Sequence, residues 1–227
     1  QSPPPPKRLL LLLATHNADK APTPAPLEHR LVMMTIFASD LQSSLSPSQP
    51  EAETPQAGDD SRRTGFGIDI AVTKLPYFAD KSQSIESSGL YPGTTQQVHL
   101  LGYDTLTRLL STKYYPPAHT LLPLRPFLAE HRLLVTYRAD DGWGSREEQD
   151  GYLRDIGEGK REGDGAERGW VSEGRIRMVE GRKEGEEVIS STRVREAAKK
   201  GDREALERLV TRRVGEWVLA EGLYVDD

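Results

Sequence analysis

A chain of 227 residues, 36% hydrophobic and 29% charged, is long enough to bury one sizeable core and fits a soluble globular domain better than a membrane or fibrous protein. Its formal charge of −5 lacks the broad Lys and Arg excess of a nucleic-acid binder, so no nucleic-acid partner is expected and any anion must be held locally. The absence of cysteine excludes disulfides, thiolate zinc sites and cysteine nucleophiles.

The chain opens on Gln1 and a Ser-Pro-Pro-Pro-Pro stretch, and reads as cut from something longer. Leu9 to Ala14 is a continuous apolar run, too short to span a bilayer and without a cleavage region after it, which suits a central parallel strand covered on both faces. No membrane partner is expected, and the protein reads as intracellular, cytoplasmic or also nuclear. Pro26 then starts a helix whose apolar residues recur at helical spacing up to Asp40-Leu41. Residues 42–65 are rich in Ser, Pro, Glu, Asp and Gln, and are expected to form a mobile surface insertion.

Ile68 to Val72 reads as a second strand, Phe78 to Ser88 as a short helix, and Gln97 to Leu101 as a third strand leading to a helix near Thr105 to Leu110. Leu121 to His131 reads as a helix and Leu133 to Tyr137 as a fourth strand. Residues 140–185 are charged and glycine-rich, with solvated helices over Arg146 to Ile156 and around Trp170 and a strand over Arg175 to Val179. Two C-terminal helices follow, at Ser191 to Lys199 and Arg203 to Glu221. This alternation predicts a single α/β domain over residues 1–227, built on a mainly parallel sheet with ligands beyond the carboxyl ends of its strands.

Three segments after strands carry chemistry. In Ile189-Ser190-Ser191-Thr192-Arg193-Val194-Arg195, two hydroxyl residues open a helix and a guanidinium, that of Arg195, is expected within its first turn, an arrangement that suits phosphate or an ordinary helix cap. Gly102-Tyr103-Asp104 follows a strand: the glycine permits close backbone approach, and the aspartate can accept ribose hydroxyls or cap the helix. Tyr77 and Phe78 could stack on a pyridinium face or serve as core.

The first of these segments matches ISSTxxR, and the chain from Glu196 to Tyr224 continues in the same manner, so the protein resembles nicotinamide mononucleotide adenylyltransferases. Residues 103–117 and 137–143 most resemble the fungal branch. The resemblance implies a Rossmann-like nucleotidyltransferase fold that transfers AMP from ATP to nicotinamide mononucleotide, giving NAD and pyrophosphate, with Mg2+ accompanying ATP. It assigns Ser191, Thr192 and Arg195 to the ATP phosphates, with Ser190 at the entrance, and Gly102 and Asp104 to adenosine. It assigns Asn17, Lys20, Tyr77 and Phe78 to the nicotinamide nucleotide, and makes Lys20 and Arg195 the catalytic cations, although Lys20 also reads as an ordinary exposed lysine.

The family's first strand and its HxGH-like motif have no counterpart, since none of His16, His29, His99, His119 and His131 stands in such a motif. The first strand here matches the family's second. The alternative is therefore a nucleotide-binding or interaction module without turnover. Oligomeric state and the choice between nicotinamide and nicotinate mononucleotide are left open by these residues.

Overall fold

The computed structural model describes residues 7–16, 25–45, 67–138, 142–181 and 189–225. In chain order the elements are β1 (Arg8–Ala14), α1 (Leu27–Leu45), β2 (Gly67–Thr73), α2 (Phe78–Ser87), β3 (Val98–Gly102) and α3 (Tyr103–Leu109). They continue with α4 (Arg125–Glu130), β4 (Arg132–Thr136), α5 (Arg146–Gly157), α6 (Gly169–Ser172), β5 (Ile176–Val179), α7 (Ser191–Lys199), α8 (Arg203–Leu209) and α9 (Arg212–Ala220). The architecture is mixed α/β with parallel sheets, as the alternating pattern predicts. The chain divides into two compact units, Gln1–Pro76 with Ile189–Asp227, and Tyr77–Val188.

In the first unit β1 and β2 pair in parallel, from Arg8 opposite Gly67 to Ala14 opposite Thr73. Among the described residues β2 is the one strand partner of β1, whose leucines are half-buried instead of enclosed. Helix α1 runs past the predicted end at Asp40-Leu41 to Leu45. Ser43 and Ser44 lie within it, and their hydroxyls donate back to the carbonyls of Ser39 and Asp40, both at 2.9 Å, a bond that the helical backbone accommodates. The rest of the expected insertion lies outside the described residues.

The core of this unit is Ala197, Ala198, Leu206, Leu209, Val214 and Val218, with Met33 and Ile36 of α1 packed against them. The helix expected over Arg203 to Glu221 is two helices. Val210 and Thr211 are consecutive β-branched residues and take extended backbone, with ψ of 168° and 149°, between α8 and α9.

The second unit holds the parallel sheet β3-β4-β5, with Val98 opposite Arg132 and Leu133 opposite Ile176. Leu106, Leu110, Leu128, Leu133, Val135, Ile156, Trp170 and Ile176 form its centre. The helix expected over Leu121 to His131 splits into a 3-10 turn, Leu122–Leu124, and α4, because Pro123 and Pro126 lack the N–H that a continuous helix would use. The helices expected to be solvated are part of the core instead: α5 buries Gln149, Leu153 and Ile156, and α6 buries Trp170. Their charged residues occupy the outward positions of an ordinary amphipathic spacing. Helix α5 begins at a capping box in which Ser145 and Glu148 satisfy each other's backbone amides.

Among the described residues no helix is long and apolar enough to cross a membrane. Leu133 is fully buried at the centre of its sheet whereas Val98 is 47% exposed at the edge. Leu133→Ala is therefore expected to lower unfolding free energy by about 2–5 kcal/mol, and Val98→Ala by no more than about 1 kcal/mol. Urea denaturation followed by far-ultraviolet circular dichroism checks this, and equal losses would contradict the described core.

Candidate functional site

Strands β3 and β4 run in parallel and in register, Gly102 opposite Thr136, so the chain leaves both at the same edge of the sheet. Beyond β3 the backbone turns at Gly102 into α3, and beyond β4 it reaches Arg138. There Arg138 Nε donates to Asp104 Oδ1 at 2.7 Å, an ion pair in which the Asp104 side chain is only 13% exposed. A Cβ at Gly102 would lie 2.6 Å from Asp104 Oδ1 and 3.2 Å from Arg138 Nε, so the pair occupies the space that any other residue's side chain would need. The glycine's backbone is extended, with φ of −85°, and its role here is space and not conformation.

Burial alone would raise the Asp104 carboxyl's pKa, but the hydrogen bond and charge of Arg138, with Arg108 adding to them, hold it below the usual carboxylate range. Asp104 is thus an ionised hydrogen-bond acceptor. The capping role does not apply, since Gly102 stands at the N-cap of α3 without a side-chain bond.

Arg138 was not singled out from the sequence, though its position two residues after a strand end carried the signal. Its backbone is held by Gln149, fully buried in α5: Oε1 accepts the Arg138 N–H at 3.0 Å, and Nε2 donates to the Arg138 carbonyl at 2.6 Å. Gln149 gave no sign of itself in a stretch so rich in charge.

In the first unit, Ser190 is the N-cap of α7, and its hydroxyl accepts the N–H of Arg193 at 3.3 Å. The capping reading therefore holds for Ser190. Ser191 and Thr192, the first two helical residues, are exposed, and by position their N–H groups have no partner within the helix. Arg195 Nη2 reaches back to Thr192 Oγ1 at 3.5 Å, which brings the guanidinium to the same end. The first turn contains no acidic residue. A guanidinium at the positive end of a helix opposes its dipole, and a bound anion there would be favoured by both.

Tyr77 precedes α2 and is 38% exposed, while Phe78 packs against the core of its unit, edge-on to His99 at 5.7 Å and with Lys81 Nζ over its ring at 5.0 Å. Asn17 and Lys20 lie outside the described residues. The structure thus joins Asp104 to Gly102 and Arg138, and Arg195 to Thr192.

Among the described residues one group of three could supply metal ligands, Glu86, Glu130 and His131. It sits before β4, at the end of the sheet opposite Asp104. His131 Nδ1 accepts the Gln97 N–H at 3.3 Å, so Nε2 carries the proton that faces Glu86 Oε1 at 2.6 Å. A cation at Nε2 would displace that proton while Nδ1 still faced an N–H, so these residues do not fit one. His99, next to them, is pushed down to about 4 by burial, with repulsion from His131 and Lys81 adding to it.

The chain is 27% identical over 205 residues to a protein of Schizosaccharomyces pombe named "Putative nicotinamide mononucleotide adenylyltransferase", a match covering 89% of this chain and 69% of that one. No family model matches. No solved structure matches significantly.

The folded pKa of Asp104 lies below its unfolded value near 3.8, so the pair's contribution is complete above that value and is lost as pH falls through the folded one. Asp104→Asn is expected to lower stability by about 1–3 kcal/mol at neutral pH, with the difference from the parent shrinking below 3.8. Denaturant midpoints measured from neutral to strongly acidic pH check the sign, and a difference that grows on acidification would contradict it.

Proposed function

We propose that this protein is a nucleotidyltransferase that transfers AMP from ATP to nicotinamide mononucleotide, forming NAD and releasing pyrophosphate. The observation that carries the reading is the α7 N-terminus, where two exposed hydroxyl residues and Arg195 share one end with amides that have no partner inside the helix, and where the first turn holds no carboxylate. The likeness to the Schizosaccharomyces pombe protein, whose name gives this activity, supports it.

In the reaction a phosphate oxygen of the mononucleotide attacks the α-phosphorus of ATP. The bond from that phosphorus to the oxygen bridging it to the β-phosphate breaks, and pyrophosphate leaves with the electron pair. Catalysis of this kind rests on positioning and charge stabilisation. Ser191, Thr192 and Arg195 hold phosphate oxygens, while Ser190 keeps the helix end in shape through its cap. Asp104, held ionised by Arg138, accepts from the ribose of adenosine, and Gly102 leaves room for that carboxylate.

Lys20 serves the phosphate of the pyridine nucleotide and Asn17 makes a polar contact with that nucleotide, while the exposed Tyr77 suits its pyridinium better than Phe78, which is engaged in the core. Mg2+ enters with ATP as part of the substrate, its remaining ligands being water and phosphate oxygens.

Arg195→Ala is expected to weaken ATP binding about tenfold to a hundredfold and adenosine binding hardly at all, because only the former presents phosphates. Asp104→Ala should weaken both ligands to a similar degree. Calorimetry with each ligand, together with an assay for NAD from ATP and nicotinamide mononucleotide, makes the comparison. Unchanged ATP affinity in Arg195→Ala would reduce α7 to a capped helix, and binding without NAD formation would leave a nucleotide-binding module.

A further inference from the structure

A fully buried glutamine stands where an apolar residue would serve the core with less difficulty. Gln149 shares the inward stripe of α5 with Leu153 and Ile156 and has no exposed surface. Burying an amide is unfavourable unless its groups are bonded, and here each kind of group is used. Oε1 accepts from Arg138 N at 3.0 Å, and Nε2 donates to Arg138 O at 2.6 Å and to Gly144 O at 3.2 Å. This is the orientation of the amide that satisfies an N–H and two carbonyls together.

The choice of Arg138 matters. Strand β4 ends at Thr136, so by Arg138 the backbone has left the ladder that fixed it, and β3 has already turned into α3. The Gln149 amide binds both backbone groups of Arg138, as a neighbouring strand would, and so continues the constraint of the sheet two residues past its end. Arg138 Nε meets Asp104 Oδ1 at 2.7 Å from that clamped position.

Resting on the nucleotide reading above, we infer that Gln149 is a positioning residue: it clamps the Arg138 backbone so that the guanidinium holds Asp104 in the orientation that receives the ribose. The effect on ligand passes through Arg138, since Gln149 bonds neither Asp104 nor Gly102. The clamp therefore acts only while Arg138 has its side chain.

The experiment is a double-mutant cycle on the full chain, read by calorimetry with adenosine as the probe. Gln149→Met keeps the side chain's length and removes its bonds. Gln149→Asn, too short to reach both groups of Arg138, is the milder variant should the methionine protein fail to fold. Each is expected to weaken adenosine about tenfold in the parent and to have no further effect in Arg138→Ala.

A purely structural glutamine would lower stability while its effect on adenosine stayed the same in both backgrounds, and that result overturns the inference. A second readout does not depend on ligand. The Asp104 carboxyl, followed by carbon NMR, faces Arg138 and Arg108, and its titration should move upward in either Gln149 variant as Arg138 loosens. An unmoved Asp104 titration also overturns it. If the parent binds neither adenosine nor ATP, the nucleotide reading fails by itself, and the titration still decides whether Gln149 holds Arg138.

Discussion

Parallel pairing of β3 with β4 is the constraint behind the best-defined polar group in the molecule. In a parallel pair both strands finish at the same edge, so residues 34 positions apart, Asp104 and Arg138, are delivered to one place. An antiparallel pair would have sent them to opposite ends. Everything added at that edge refines this convergence: Gly102 gives up its side chain, Gln149 grips the backbone beyond the strand, and the capping box of Ser145 and Glu148 starts the helix that carries Gln149. The same pairing places Gln97, His131 and Glu86 at the other end of the sheet, where hydrogen bonds are spent on packing.

The α7 terminus follows a different logic. Its residues are contiguous in sequence. Ser190 satisfies one amide and thereby fixes the turn, and the remaining donors, hydroxyls and guanidinium share one end. Local order suffices there, which is why the cap could be read from a run of seven letters.

Much of the fold was legible in the sequence because apolar periodicity is a local property. The five strands among the described residues lie within two residues of the predicted spans, since each is a short apolar or alternating run bounded by polar or turn residues. The departures have local causes too, and were harder to weigh: paired β-branched residues at Val210 and Thr211, prolines at Pro123 and Pro126, and serines that close on their own helix in α1. The charged stretch from Asp140 to Gly185 misled most, because a high average charge concealed a buried stripe at Gln149, Leu153 and Ile156. Asp104 was visible as a candidate, but its partner was not. A contact across 34 residues leaves no spacing to read, and only the register of two strands brings it out.

The seat at Gly102 gives that long-range contact a local signature after all. Because the Asp104 carboxylate and the Arg138 guanidinium fill the volume where a side chain would begin, an alanine or anything larger at this position would force the carboxylate to shift. Glycine there, followed two residues on by aspartate and accompanied by an arginine just past the next strand, becomes a three-letter diagnostic that can be applied to relatives before any of their structures is known. A side chain at Gly102 would thus press on a contact whose two members lie 34 residues apart in the chain.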